Sequence, residues 1–270
     1  MKMSIKLNTN QVKVGDTMSK IIQIIISALI VIGVIGTILF IKNDDFDSIL
    51  PHSKDATEAT DQTHVYKQSP LAYHQSKQLK LHELDKQGRP VDAHIQLKYK
   101  DKPQHDRDPR LSYNPPGWHN YKMKYTKEDG STSKYWTFNR SHLIGYLFSG
   151  LNDEPKNIIT GTSHLNKGDY NGMDQDNQKS MLYYEMRLNK WLKDHPDYTL
   201  DYQVTPIYKG DELIPREVRL AYTGYNDKGQ RVDIHLNSGF ETEGHKATVV
   251  ALPNEEPDFK FNYHNGREVK

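Results

Sequence analysis

The 270-residue sequence has no cysteine. This excludes a disulfide framework, a disulfide-linked partner, thiolate metal sites and cysteine nucleophiles. Excess charge is also missing: the formal net charge is +1. An acidic polymer would therefore have to be held by a local basic groove, because no global field draws it in. Internal repeats and low-complexity tracts are absent, and so is the H-E-x-x-H zinc signature. His119, His142 and His164 are too scattered to make a short metal-ligand motif, which argues against a zinc hydrolase.

Long apolar runs are confined to one place. Residues 21–41 (IIQIIISALIVIGVIGTILFI) carry no charge and end at Lys42. As a helix they would extend about 31 Å, close to the hydrocarbon thickness of a bilayer. No A-x-A-like cleavage site follows, so an uncleaved transmembrane anchor is expected, with residues 1–20 as a cytoplasmic segment. Lys2, Lys6, Lys13 and Lys20 precede the span and Asp44 and Asp45 follow it. That asymmetry orients the bulk of the chain outward, as a single-pass cell-membrane protein with an extracellular domain. Residues 42–76 are polar and aperiodic and read as a flexible tether. Proteolysis there would release the domain expected at 77–270.

Within that domain, Val91 to Tyr99 alternates with period two, as a half-buried strand should. Tyr121–Tyr125 and Tyr135–Phe138 flank Glu128-Asp129-Gly130 and read as a hairpin. Tyr198–Tyr208, Val218–Tyr225 and Val232–Leu236 suggest an antiparallel meander. The last thirty residues read as loop-rich edge structure. Strands, one long helix and strands again give an α+β fold class.

The helix is expected over Asp174–Lys193, a stretch free of glycine and proline, with Pro196 beyond it. Met181, Leu188 and Leu192 form its apolar stripe, and Glu185 falls on that face. A carboxylate there is costly unless it pairs with a cation or binds a metal. Asn166 lies in a glycine-bounded turn, where asparagine commonly serves as turn former or cap. His142 ends a strand-like run and, taken alone, is as compatible with a structural role as with a chemical one.

Together these residues carry a resemblance. N-R-S-H-L-I-G at Asn139–Gly145 is similar to the D-R-G-H motif of the DNA/RNA non-specific endonucleases, the ββα-metal nucleases. The likeness is strongest to streptococcal secreted nucleases and to a membrane-anchored nuclease of DNA uptake. It extends to L-D-x-x-G-R-P-V at Leu84–Val91, P-P-G-W-H at Pro115–His119, P-K-N-I at Pro155–Ile158 and Y-Y-E at Tyr183–Glu185. Asn139 stands where many members have aspartate, Ser141 where many have glycine, and Asn189 where several have arginine.

The resemblance implies a ββα-metal nuclease core. In it His142 is the general base, Asn166 the direct metal ligand and Glu185 a carboxylate at the metal. Arg140 is the motif arginine and Asn157 a further site asparagine. It also implies Mg²⁺, with Mn²⁺ able to substitute, and sequence-non-specific cleavage of DNA and RNA to 5′-phosphate and 3′-hydroxyl ends. The residue types suit that chemistry. A neutral imidazole accepts a proton near pH 7, and Mg²⁺ needs few protein oxygens because it keeps several waters. Arg140, Arg187, Lys167 and Lys179 are candidates for phosphate contacts, and DNA-uptake machinery is a candidate partner. A surface nucleic-acid-binding protein with a decayed site and an antibacterial nuclease toxin are the competing readings.

Overall fold

The computed structural model describes residues 68–127, 129–169 and 172–269. The expected cytoplasmic segment, the span at 21–41 and the tether up to residue 67 lie outside the described residues. Among the described residues, no helix is long and apolar enough to cross a membrane.

The main layer is an antiparallel sheet. Its strands are β1 (Gln78–Leu81), β2 (Ala93–Leu97), β7 (Thr199–Ile207), β8 (Glu217–Tyr225), β11 (Thr248–Pro253) and β10 (Thr242–Glu243), in that spatial order. Alternation along the strands sorts residues between two faces. Ile95, Leu97, Leu200, Tyr202, Val204, Leu220, Tyr222, Val250 and Leu252 enter the main apolar core. The opposite face is polar: Asp201 accepts from His94 Nε2 at 2.6 Å and Gln96 Nε2 at 2.9 Å.

Chain expected to be free covers that polar face. Gln68 Nε2 donates to Thr205 Oγ1 at 2.8 Å, Leu71 N–H to Asp201 Oδ2 at 3.0 Å and His74 N–H to Gln96 Oε1 at 2.8 Å. The packed domain therefore begins at or before residue 68 rather than at 77. The segment has few apolar residues because buried polar side chains, not an apolar core, hold it.

The meander also differs. Of Val232–Leu236, only Val232 joins a strand, β9 (Arg231–Val232), which pairs with the end of β8. On the edge away from β7, most of β8 pairs instead with β11, from the final thirty residues. Ile234 and Leu236 are still buried, but Thr248 Oγ1 and Glu241 capture the backbone at Ile234 and Leu236. Side chains thus take the place of a ladder.

Two smaller layers build on the sheet. The expected hairpin forms from β3 (Lys122–Thr126) and β4 (Thr132–Trp136), turning at Gly130 with φ of 80°, but its second arm starts earlier than Tyr135 and stops short of Phe138, which belongs to the next strand. It leads into β5 (Phe138–His142), which pairs antiparallel with β6 (Ile158–Thr162). A four-residue helix α1 (Tyr146–Ser149) follows β5, and α2 (Ser163–Lys167) follows β6. The long helix α3 (Met181–Asp194) is shorter than expected at its start. Asp174 and Asn177 side chains accept N–H groups two residues on, making turns that compete with helix. Ser180 then caps α3 by accepting Tyr183 N–H. Helix α3 lays Met181, Tyr184, Leu188 and Leu192 into the main core.

Candidate active site

β5 and β6 run antiparallel, and one cleft lies along β5 and reaches the turn that follows β6. Arg140 and His142 come from β5, and Asn166 comes from α2, the single turn that continues β6. With Arg107, Trp118, Asn120, Trp136 and Asn139 they line a cavity of about 540 Å³.

His142 is buried, and its Nε2 lies 2.7 Å from the Asn152 carbonyl oxygen. A carbonyl can only accept, so Nε2 carries the proton and Nδ1 keeps its lone pair. Burial is the main cause holding the imidazole below its ordinary pKa, and the charge of Arg107 acts in the same direction. The Asn152 bond and Asp153 oppose the shift without reversing it. The ring is therefore a neutral base at neutral pH.

Asn166 sits on α2, which Thr162 caps through Leu165 N–H at 3.1 Å and Gly168 ends at φ of 85°. Among the described residues no group hydrogen-bonds its side-chain amide, which leaves the amide oxygen available as a donor to a cation. Glu185 projects from α3 against Gly145, three residues past His142, and is not among the residues that line the cleft. The residue as a whole is half-buried, but its carboxyl is enclosed and accepts the backbone N–H of Gly145. A β-carbon on Gly145 would lie 2.6 Å from Glu185 Oε1, so only glycine admits the carboxylate this close. Burial pushes the Glu185 carboxyl up to about 8, against the Gly145 bond and the charge of Arg107. A carboxylate under that penalty favours a nearby cation.

Arg140 is fixed from three directions. Nε donates to the Tyr113 carbonyl and Nη2 to Asn114 Oδ1, both at 2.6 Å, and the guanidinium lies 4.5 Å from the centre of the Trp118 ring. Asn157 is fully buried beneath the cleft. Its Oδ1 accepts Ile144 N–H and its Nδ2 donates to Ile144 O, each at 2.9 Å. Its carbonyl also takes Leu143 N–H at 2.8 Å. Both ends of its side chain are committed to the turn after His142, so Asn157 is a positioning residue.

The remaining phosphate-contact candidates are dispersed. Arg187 turns away to Asp176 at 3.1 Å and stacks on Tyr183. Lys179 lines a separate groove with Phe259 and Tyr263. Lys167 adjoins Asn166 on α2. The positive charge beside Glu185 comes from Arg107, so Arg187 does not fill the place that Asn189 leaves. Nothing in the charged, proline-rich run 101–116 distinguishes Arg107 from Arg110, and only the folded loop separates them. Asn189 instead accepts from Lys102 Nζ.

The quoted motifs outside the cleft are scaffold. Asp85 and Arg89 pair at 2.6 Å, and Arg89 bonds the carbonyls of Gly210 and Glu212. Gly117 at φ of 74° lets Trp118 come under Arg140.

The sequence family described as DNA/RNA non-specific endonuclease matches residues 70–226. A solved extracellular nuclease is 37% identical, with TM-score 0.59, covering 73% of this chain and 95% of that one. An extracellular endonuclease is 36% identical, with TM-score 0.61, covering 77% and 93%. The Sda1 nuclease with bound zinc ion shares the fold at 21% identity and TM-score 0.52, over 72% and 81%. No curated protein matches the chain.

Proposed function

Because the chain belongs to the DNA/RNA non-specific endonuclease family and is a nuclease with the α+β ββα-metal fold, we propose that it hydrolyses phosphodiesters in DNA and RNA without sequence preference, using Mg²⁺. The observation that carries this reading is the His142–Asn152 bond, which leaves a lone pair at Nδ1 on a cleft shared with Asn166.

The donor set suits a hard cation. Among the described residues, no three His, Asp or Glu side chains cluster to hold a metal. Asn166 offers one amide oxygen and Glu185, held against Gly145, one carboxylate, a sparse oxygen set that suits an ion that retains several waters. Zinc sites usually need three or four nitrogen or sulfur ligands. When bound, Mg²⁺ neutralises charge on the scissile phosphate and on the departing oxygen.

His142 Nδ1 accepts a proton from the attacking water as its oxygen bonds to phosphorus. The bond to the 3′ oxygen breaks and that oxygen takes a proton from solvent water, which leaves 5′-phosphate and 3′-hydroxyl ends. The Asn152 carbonyl stabilises the resulting imidazolium and keeps its ring oriented. Arg140, pinned by Tyr113, Asn114 and Trp118, contacts a non-bridging phosphate oxygen, and Lys167 and Arg107 add positive charge at the margins. Phosphate contacts carry no base information, so a site dominated by them cuts without sequence preference.

Asn139 and Ser141 do not dismantle this arrangement. Asn139 Nδ2 donates to Ser163 Oγ at 2.8 Å, which ties β5 to the start of α2. A decayed binding protein is disfavoured because His142, Asn166 and Glu185 are all retained, and His142 and Asn166 line one cleft.

The uncharged stretch 21–41 supports an anchor that holds the domain outside the cell, in keeping with the extracellular nucleases it resembles. Protease added to intact cells should digest the domain, and protection would reverse the topology.

The deciding experiment is plasmid degradation by the full-length chain with Mg²⁺ and with EDTA, beside His142→Ala. Cleavage that needs the metal and is lost in the variant supports the reading; a fully active variant overturns it.

A further inference from the structure

Beside the cleft stands the hairpin β3–β4, and its two faces differ completely. Met123, Tyr125, Ser133 and Tyr135 turn inward, with Met123 packed on the second apolar cluster of Phe138, Ile214, Phe259 and Phe261. The outward face carries Lys122, Lys124, Thr126, Thr132, Lys134 and Trp136. Lys122 lies directly across from Trp136 in the ladder, and Lys124 directly across from Lys134. Like charges so opposed destabilise a strand pair. Among the described residues no carboxylate pairs with Lys122, Lys124 or Lys134, and at the hairpin tip Asp129 is committed to Ser131.

Trp136 is the second anomaly. It is 49% exposed, yet it lines the same cleft as His142 and Asn166. Lys122 Nζ sits 4.6 Å from its ring centre, a cation–π contact that fixes the indole. A lysine row with no carboxylate partner among the described residues, ending on a held, half-exposed indole at the mouth of the cleft, matches a polyanion carrying planar rings. A base inside a duplex has both faces covered by its neighbours, so stacking on Trp136 requires an unpaired base.

We propose that the outward face of β3–β4 is a binding arm for unpaired nucleotides flanking the scissile phosphate. In it Trp136 stacks one base, and Lys122, Lys124 and Lys134 track the backbone. The proposal rests on the nuclease reading and extends it: the preferred substrate is single-stranded nucleic acid, or duplex with a gap or frayed end.

The test measures binding by the full-length chain carrying His142→Ala, which prevents turnover. Its partners are a fluorescent single-stranded oligonucleotide and the blunt duplex of the same sequence. Adding Trp136→Ala should weaken single-strand binding roughly tenfold, with at most a small loss on duplex. Trp136→Phe should recover most of that loss, as stacking requires. Lys124→Ser with Lys134→Ser should flatten the salt dependence of single-strand binding by a slope of about 1.4. Equal loss on both substrates would overturn the unpaired-base assignment and make the arm a duplex clamp. No loss with Trp136→Ala on either substrate would overturn the arm altogether. Metal-dependent plasmid cleavage by the chain without these substitutions keeps the nuclease reading intact in both cases. Absence of both binding and cleavage would overturn the two together.

Discussion

Ser141 occupies the space that a side chain on Gly161 would need. A β-carbon built on Gly161 would lie 2.8 Å from Ser141 Cβ and closer still to its hydroxyl, across the β5–β6 ladder that carries the site. Ser141 is fully buried, and among the described residues its hydroxyl has no hydrogen-bond partner. Ser141 itself pairs with Ile159, and serine is tolerated at this motif position because its diagonal neighbour, Gly161, has no side chain. Gly161→Ala should therefore destabilise the fold by roughly 2 kcal/mol through overpacking, and lower activity by misaligning β5. Ser141→Gly should be near neutral, since relief of an unpartnered hydroxyl offsets about 1 kcal/mol of added glycine flexibility. Thermal unfolding of the two variants and of the double variant checks this. The double variant should recover most of the Gly161→Ala loss.

His142→Ala should abolish cleavage while leaving the fold and metal binding intact, which circular dichroism and Mn²⁺ titration would show. The pH dependence has a definite sign. Burial lowers the folded pKa of His142, so the acid limb of kcat/KM should fall below the ordinary histidine value of about 6.5. The unfolded chain takes up that proton first. The contribution to stability is therefore complete above about 6.5 and is lost as pH falls from there toward the lower folded value. His142→Ala should remove this part of the acid destabilisation. An acid limb above the ordinary histidine value would contradict the burial argument.

How much of this was legible in the sequence depended on whether local pattern or distant contact decided the outcome. The strands β2, β7 and β8 and the hairpin were readable because period-two alternation is a local signal. Glu185 was readable because helical spacing alone puts a carboxylate on an apolar face. Arg107 was not, because it lies in a loop with no period, and its approach to His142 and Glu185 depends on how residues 101–116 fold back. Residues 68–76 looked like tether because polar composition is the usual mark of an unpacked segment, whereas here buried Asp201, Gln96 and Thr205 hold them. β11 was missed because its T-V-V-A-L-P run is short, and only its pairing with β8 makes it central.

Asn166→Ala should raise the Mg²⁺ concentration for half-maximal activity by roughly tenfold or more, with excess metal partly restoring the rate. Isothermal titration with Mn²⁺ provides a readout separate from turnover. An unchanged metal affinity would remove Asn166 from the ligand set and return it to a turn-forming role.

Asn254 and Glu256 do not line the cleft, yet they hold the elements that do. Asn254 Oδ1 accepts Thr162 N–H at 2.9 Å, and its Nδ2 donates to Thr160 O at 3.1 Å and Pro215 O at 3.0 Å. Two residues on, buried Glu256 pairs with His164 Nδ1 at 2.9 Å and accepts His164 N–H at 3.3 Å. This segment lies beyond residue 226, where the family match ends, yet it clamps the end of β6 and the first turn of α2. Asn166 can hold a cation only if α2 is held in place, because a single helical turn has little stability of its own. Glu256→Gln keeps the shape and one acceptor but removes the charge. It should raise the metal concentration for half-maximal activity about tenfold while leaving kcat at saturating metal within about threefold. A purely structural role would lower the melting temperature without moving the metal requirement, and that result would release Glu256 from positioning Asn166.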